Sequence, residues 1–301
     1  MAEVTPSAAP SARTGTVGAL IGAMADLIAV KGSAADALRE ARELLAAVHD
    51  MPRHWPTVEQ ATPVSADEWA RGMRAAERRA AGAPLQYAAG RACFRHLTLD
   101  VDERVLIPRP ETEQLIDVVL DALRDEPGGI AVDVGTGSGA IALALAQEGR
   151  FDRVIATDVS LDALDVARTN ATRCAAVLRS PVELRAGSLL RPVPERPLRA
   201  VVSNPPYIAW EEREALPADV RDWEPTIALF SASDGMAATA RLVREAARSL
   251  GPRGLLAIEV DVRRASVAAE LVATEGAYEE VRVQLDLTGR ERFVVARRRE
   301  A

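Results

Sequence analysis

Two short strings in this sequence have the residue types and spacing to do chemistry. In Asn204-Pro205-Pro206-Tyr207 the asparagine side-chain oxygen and the Pro205 carbonyl are two acceptors, enough to take both hydrogens of one planar NH2 group. Proline has no N–H, so the Pro205 and Pro206 carbonyls can face a pocket in a stiff, extended turn without the donors that usually accompany them. Tyr207 supplies a flat wall behind that nitrogen and a π-face toward a cationic methyl donor. Upstream, Asp133-Val-Gly-Thr-Gly-Ser-Gly139 alternates Gly135, Gly137 and Gly139 with Thr136 and Ser138. Such a loop can bring its backbone close to a nucleotide-like ligand and take positive φ. Together the strings point to methyl transfer to nitrogen: two acceptors hold the lone pair on the methyl axis and tighten as positive charge grows on the nitrogen.

The identity of the cofactor follows from spacing. The glycine run lacks the G-x-G-x-x-G pattern of a dinucleotide site and the Lys-Ser/Thr of a P-loop, so neither pyrophosphate nor triphosphate is well served. Asp158 ends the next predicted strand, where a carboxylate can accept both ribose hydroxyl hydrogens. Asp133, an acid at the lip of the loop, would repel phosphate but suits the ammonium and sulfonium of S-adenosyl-L-methionine. The alternative for Asp133 is a cap on the loop's own amides, and both can hold.

The elements that position these strings alternate. After Gly129 the chain reads as strands over 130–134, 154–157, 182–186, 200–203 and 255–260, separated by helices over 140–147, 161–175 and 237–250. That order implies a mostly parallel sheet covered by helices on both faces, with ligands at the carboxyl ends of its strands. Segments 281–287 and 292–296 lie close enough to make a terminal antiparallel pair. Residues 1–16, rich in Ala, Ser, Pro and Thr, read as a disordered tail. Residues 17–85 read as a helical domain: Leu38, Ala41, Leu44, Leu45 and Val48 recur at helical spacing, and Ser65 to Glu68 forms a capping box. Over 86–107 the period changes, with Phe94, Leu97, Leu99 and Val101 alternating against Arg95, Thr98 and Asp100, a β-hairpin bridge to a catalytic domain over 108–301.

Bulk properties exclude several classes. With 48% hydrophobic and 27% charged residues the chain is an ordinary globular protein, and no apolar run approaches a membrane span, so no membrane role is expected. The stretch from Val17 to Ala25 after Arg13 resembles a secretory leader, but Asp26 interrupts it and the apolar spacing continues as a helix. Lys31 is the sole lysine among 37 basic residues, and the net charge of −7 gives no general attraction for a polyanion. Cys93, Cys174 and the three histidines form no metal-ligand spacing, so no metal is expected, and a cytoplasmic setting suits two unpaired cysteines.

The strings Gly82-Ala-Pro-Leu-Gln-Tyr87, Leu106-Ile-Pro-Arg-Pro-Glu-Thr-Glu113, Asp133 to Gly139, Ser203 to Ile208, Glu224-Pro225 and Asp286-Leu-Thr-Gly-Arg290, taken together, resemble the release-factor glutamine N5-methyltransferases, from about Ala41 to Ala296. The resemblance implies a class I, Rossmann-like methyltransferase fold behind a small helical domain. It implies that the substrate is the glutamine of a Gly-Gly-Gln loop in peptide chain release factors, held by Asn204 to Tyr207 and gripped through the N-terminal helices. It implies further that Ser188 and Leu189 flank adenine and that Arg109 and Glu111 lie over the pocket mouth; a salt-bridged helix start is the other reading of that pair. A monomer without a nucleic-acid substrate is expected. Ser188 stands where the family often has an acid, Leu189 where it often has an aromatic, and Glu259-Val-Asp261 lacks the glycine that usually follows that glutamate.

Three other readings use the same motifs. A DNA amino-methyltransferase poses the same NH2 problem but needs a basic recognition region, and acids and bases are balanced over residues 1–100. A methyltransferase of a free guanidinium or amine would keep the fold and the cofactor. A catalytically silent scaffold would have no use for Asn204 or the glycine loop.

Overall fold

The computed structural model describes residues 13–29 and 34–300. The chain divides into two compact units, Met1–Arg91 and Ala92–Ala301, each with its own contacts.

The first unit is built on β1 (Arg13–Thr16), α1 (Val17–Ile28), α2 (Ala34–Val48), α3 (Trp55–Val58), β2 (Pro63–Ser65), α4 (Ala66–Ala80) and α5 (Leu85–Ala89). One face of α1, with Val17, Leu20, Ile21, Met24 and Ile28, packs with Ala37, Ala41, Leu44 and Leu45 of α2. Gly72 of α4 lets a third helix approach, since a Cβ there would stand 3.1 Å from Leu20. The capping box forms as read: Ser65 Oγ accepts from the Glu68 N–H and the Glu68 carboxylate accepts from the Ser65 N–H. The tail expected over 1–16 is contradicted where it can be followed. Its first 12 residues lie outside the described residues, while 13–16 form β1, antiparallel to β2, and Gly15 gives the Trp69 ring the room a Cβ would occupy.

A hairpin, β3 (Arg91–Phe94) and β4 (Leu97–Asp100), turns at Arg95-His96, and all of it but Arg91 belongs to the second unit. Arg95 clamps the hairpin. Its guanidinium pairs with Glu148 at 2.6 Å and Asp117 at 2.8 Å and donates to the Glu113 carbonyl. Then follow α6 (Pro110–Ala122), β5 (Ile130–Val134), α7 (Ala140–Glu148), β6 (Arg153–Asp158), α8 (Leu161–Cys174), β7 (Val182–Ala186), β8 (Leu198–Ser203), the short α9 (Ala218–Trp223) and α10 (Thr226–Leu229), α11 (Ala237–Ala247), β9 (Leu250–Glu259), α12 (Ala265–Thr274), β10 (Tyr278–Leu285) and β11 (Glu291–Arg298).

The strands make one seven-stranded sheet in the order β10-β11-β9-β8-β5-β6-β7. The β9-β8-β5-β6-β7 run is parallel, and β11 is antiparallel to both β9 and β10. Alternate residues serve opposite faces. Ala131, Val154, Ala200 and Val202 pack with Leu115, Ile116 and Val119 of α6 and with α7, whose Ala-Ile-Ala-Leu-Ala-Leu run is buried all round. Val132, Ile155, Val201 and Leu256 pack with Leu242, Val243 and Ala246 of α11 and Ala268 and Val272 of α12. The predicted helix over 237–250 stops at Ala247, because Leu250 already pairs with Leu198 and starts a ten-residue β9. Among the described residues no helix is long and apolar enough to cross a membrane, and no group of three ligating side chains could hold a metal ion.

Candidate active site

The two motifs leave the sheet side by side. Val134 and Ser203 are register partners on the parallel strands β5 and β8, so Gly135 and Asn204 emerge at the same carboxyl edge, and the Ser203 hydroxyl donates to the Val134 carbonyl at 2.7 Å. Chain direction across the sheet switches here: β6 and β7 continue on one side of β5, and β8 and β9 on the other. A crevice at such a point is where open α/β sheets bind ligands. A cavity of about 470 Å3 opens there, within the range of about 300–1,000 Å3 for small-molecule sites. Its wall includes Gly135, Gly137, Asp158, Ser188, Leu189, Asn204, Pro205 and Pro206. Leu106, Ile227 and Phe230 give it an apolar side.

The glycine loop is held from behind and open in front. The Gly135 and Thr136 amides donate to the Thr157 carbonyl at 2.8 and 3.0 Å, tying the loop to the end of β6. Gly135 and Gly137 take φ of +74° and +54°, and a Cβ at either would meet nothing within 4 Å. The backbone itself is therefore the cavity wall there. The Asp158 carboxylate is oriented by the Gly137 amide at Oδ2 and the Ser160 amide at Oδ1, both 2.9 Å, and each oxygen keeps a lone pair for a hydroxyl. An open glycine backbone with a fixed diol acceptor fits a ribose-bearing ligand.

Asp133 is a correction. It is not at the lip but fully buried behind the loop, where Oδ2 accepts from the Thr136 hydroxyl at 2.6 Å and the Ala142 amide at 3.1 Å. Loss of solvent pushes its carboxyl up to about 7, against the opposing pull of those two donors. Asp133 is thus the cap on the loop rather than a partner in the cavity. Thr136, Ser138 and Gly139 also sit behind the wall: Thr136 on Asp133, Ser138 with its carbonyl on Asn170 Nδ2, and Gly139 against Leu143 and Ala167. Leu189 lines the cavity with φ +52°, its carbonyl held by the Thr157 hydroxyl at 2.9 Å.

The Asn204–Tyr207 turn is braced at both ends. Asn204 Nδ2 donates to Thr112 Oγ1 at 3.1 Å, and the Thr112 hydroxyl also bonds the Glu259 carboxylate. Past Tyr207, the Ile208 amide donates to the Leu229 carbonyl and the Ser231 amide to the Ile208 carbonyl. Gly235 fits only as glycine, since a Cβ there would lie 2.0 Å from the Tyr207 carbonyl oxygen. The Tyr207 ring, read from sequence as a wall of the site, does not line the cavity. Its phenol is buried, which holds its proton well above the usual tyrosine range, and Glu259, Arg292, Asp261 and Arg109 are the charges that act on it.

Arg109 and Glu111 are also absent from the wall. Arg109 caps α6 and turns to Glu224, 2.5 Å away, and Glu111 follows in the first turn, so the salt-bridged helix start is the reading the geometry takes. Two residues near the site escaped sequence reasoning. Thr112 and Glu259 are both buried, and Glu259 has its carboxyl pushed up to about 7 by loss of solvent. Each had a signal: Thr112 is polar at helical spacing from Leu115, Ile116 and Val119, and Glu259 ends an apolar strand as Asp158 does. A larger groove of about 610 Å3 runs by α11 and α12, but its Arg263 and Arg264 are already paired with Glu212 and Asp261.

Comparisons with known proteins show relatives along most of the chain. The Methyltransferase small domain matches residues 113–217, and the PrmC N-terminal domain matches residues 25–90. A release factor glutamine methyltransferase of Gloeobacter violaceus is 44% identical over 212 residues, 70% of this chain and 73% of that one. One from Streptomyces coelicolor is 39% identical over 263 residues, 86% of this chain and 90% of that one. Among solved structures, the hMettl16 catalytic domain in complex with a MAT2A 3′UTR hairpin superposes with a TM-score of 0.52 at 15% identity, covering 79% of this chain and 84% of that one, a likeness of fold alone.

Proposed function

The chain belongs to the release factor glutamine methyltransferase family, and from that premise we propose that it methylates the side-chain amide nitrogen of the glutamine in the Gly-Gly-Gln loop of peptide chain release factors, in the cytoplasm. The observation that carries this is the Val134–Ser203 register, which brings the Gly135–Gly137 backbone and Asn204 to one cavity.

The residues present fit S-adenosylmethionine. Gly135 and Gly137 offer bare backbone, Asp158 offers its two oriented oxygens to a ribose, and Ser188 and Leu189 stand where the adenine would pack. When bound, that group supplies an electrophilic methyl on a positively charged sulfur. The chain's own part is to present the nitrogen. Asn204 Oδ1 and the Pro205 carbonyl accept the two amide hydrogens, fix the plane of the carboxamide and point its lone pair along one axis. An amide nitrogen is a weak nucleophile because its lone pair is shared with the carbonyl. Acceptors that tighten as that nitrogen gains positive charge favour the transition state over the ground state. Leu106, Ile227 and Phe230 give the apolar side of the cavity on which the rest of the substrate would lie. The surplus proton leaves the nitrogen after transfer, so no base of unusual pKa is needed.

The test is mass spectrometry of a release factor incubated with the protein and S-adenosylmethionine. One added methylene on the loop glutamine is expected. Asn204→Ala should lower turnover at least ~100-fold, the scale of one transition-state hydrogen bond. An unmodified loop in the parent reaction, or undiminished turnover in the variant, overturns the assignment.

A further inference from the structure

The Asn204 amide has two ends, and only one of them is useful to a substrate NH2. An oxygen facing the cavity accepts a hydrogen from it, whereas an NH2 facing the cavity opposes it donor to donor. Which end faces in is decided by what the other end bonds.

The bonding runs through two buried residues that the mechanism above does not use. Ser203 pairs with Ile258 across β8 and β9, so Asn204 and Glu259 are the next residues at the same edge of the sheet. Thr112, in the first turn of α6, bridges them and is 4% exposed; Glu259 is 1% exposed. A threonine hydroxyl has a single proton, and an ionised carboxylate can only accept. The proton of Thr112 therefore goes to Glu259, which leaves only lone pairs toward Asn204. Asn204 must then present its Nδ2–H to Thr112, as it does at 3.1 Å, and among the described residues nothing donates to its Oδ1.

We propose that Thr112 and Glu259 are positioning residues which, through one directed chain of hydrogen bonds, hold the Asn204 amide with its oxygen toward the substrate nitrogen. This rests on the methyl-transfer reading, because it assigns a purpose to that oxygen. If Glu259 gains a proton, its hydroxyl can donate to Thr112, Thr112 can donate to Asn204, and the amide is free to turn its NH2 to the cavity. The carboxyl of Glu259 is already pushed up to about 7 by burial, so this reversal falls near neutrality. The groups facing Glu259 are Arg292 on β11, Arg109 and Glu111 at the start of α6, and the Tyr207 phenol; the two arginines favour its charged form and Glu111 opposes it.

The experiment compares Thr112→Val, which keeps the shape and loses the hydroxyl, with Thr112→Ser, which keeps the hydroxyl, and with Glu259→Gln, which cannot ionise. Turnover and KM for a release factor are measured at saturating S-adenosylmethionine. Cofactor affinity is measured by calorimetry, and the Asn204 side-chain amide resonances are followed by NMR in the free protein. Thr112→Val should bind the cofactor as the parent does while losing about 10- to 100-fold in kcat with KM nearly unchanged. Thr112→Ser should recover most of that loss. The parent should lose kcat toward acid pH with a limb that is missing in Glu259→Gln, and its shifted Asn204 amide proton should collapse in Thr112→Val.

A Thr112→Val protein at the parent's rate, a Thr112→Ser protein no better than Thr112→Val, or a limb that survives in Glu259→Gln overturns the proposal. If Thr112→Val does not fold, the Thr112→Ser and Glu259→Gln arms decide alone. If the parent leaves the release factor unmodified, the function reading fails, and the NMR arm still tests the chain of hydrogen bonds by itself.

Discussion

The Arg109 guanidinium lies 2.5 Å from the Glu224 carboxylate and joins the residue that opens α6 to the residue that follows α9, with the glutamate side chain 1% exposed. The Ile107 backbone bonds the same carboxylate, and burial still raises its pKa, so the pair is a charge kept inside by two partners rather than a surface contact.

Removing Arg109 should therefore destabilise more than a surface ion pair would. Arg109→Ala strands a buried carboxylate and is expected to lower unfolding stability by about 3 kcal/mol at slightly alkaline pH, measured by urea denaturation. The loss has a sign in pH. Glu224 has a folded pKa above its unfolded one, so the fold takes up the proton first and the penalty shrinks as pH falls. A loss below about 1 kcal/mol, or one indifferent to pH, would show that the pair is effectively solvated.

Two glycines of one loop should answer alanine differently. Gly135 and Gly139 both hold positive φ, so each alanine costs about 1 kcal/mol of backbone strain. At Gly135 the new methyl would stand in the open cavity, whereas at Gly139 it would press on Leu143 and Ala167 behind it. Calorimetry with S-adenosylmethionine should show Gly135→Ala losing at least ~10-fold in affinity, or 1.4 kcal/mol. Gly139→Ala should lose mainly melting temperature. Equal affinities in the two variants would mean that the loop does not line the cofactor site.

Gly235 tests whether the bracing of the Asn204–Tyr207 turn matters to the proposed reaction. A methyl there would lie 2.0 Å from the Tyr207 carbonyl oxygen, far inside contact distance, and the φ of +83° adds strain. Gly235→Ala must push the turn out of place. Turnover should fall at least ~10-fold, as small misplacements of a positioned group do, while cofactor affinity, which we propose rests on Gly135, Gly137 and Asp158, stays near the parent's. Gly90→Ala, with φ +71° and nothing within 4 Å, is the control for strain alone. Matched turnover in the two variants would remove the turn from the site.

What could be read from the sequence, and what could not, divides along physical lines. The sheet was legible because strand and helix differ in period, and the glycine loop and Asn204 stood out because alternating glycines, and an asparagine before two prolines, each follow an apolar strand. Asp133 was ambiguous at that level, since an acid after a strand reads the same whether the loop folds over it or away from it. Arg109 gave no sign of Glu224, a partner beyond several intervening elements. The helices α9 and α10 and the 3-10 turn over Trp210–Ala215 are too short to show a period. They are held by tertiary bonds such as Ile208 to Leu229 and by the stacking of Trp210 on Phe230, with ring centroids 4.6 Å apart.

Asp133 gives the last prediction, because its titration separates a cap from a charge partner. Burial pushes its carboxyl up to about 7 from 3.8, so the folded protein holds a proton that the unfolded chain has released. Its contribution to stability is complete below the unfolded value and is lost as pH rises through the folded one. Asp133→Asn keeps an acceptor for Thr136 and Ala142 and cannot ionise. Relative to the parent it should therefore gain stability between mildly acid and mildly alkaline pH, by on the order of 2 kcal/mol in urea denaturation. Glu259, raised in the same way, and the buried His49 titrate in both proteins and cancel in the difference. Affinity for S-adenosylmethionine should change little, since a fully buried carboxyl behind the loop does not reach the ligand. A stability difference flat in pH, together with a large loss of affinity, would restore Asp133 to the cavity as an ionised partner of the cofactor's ammonium.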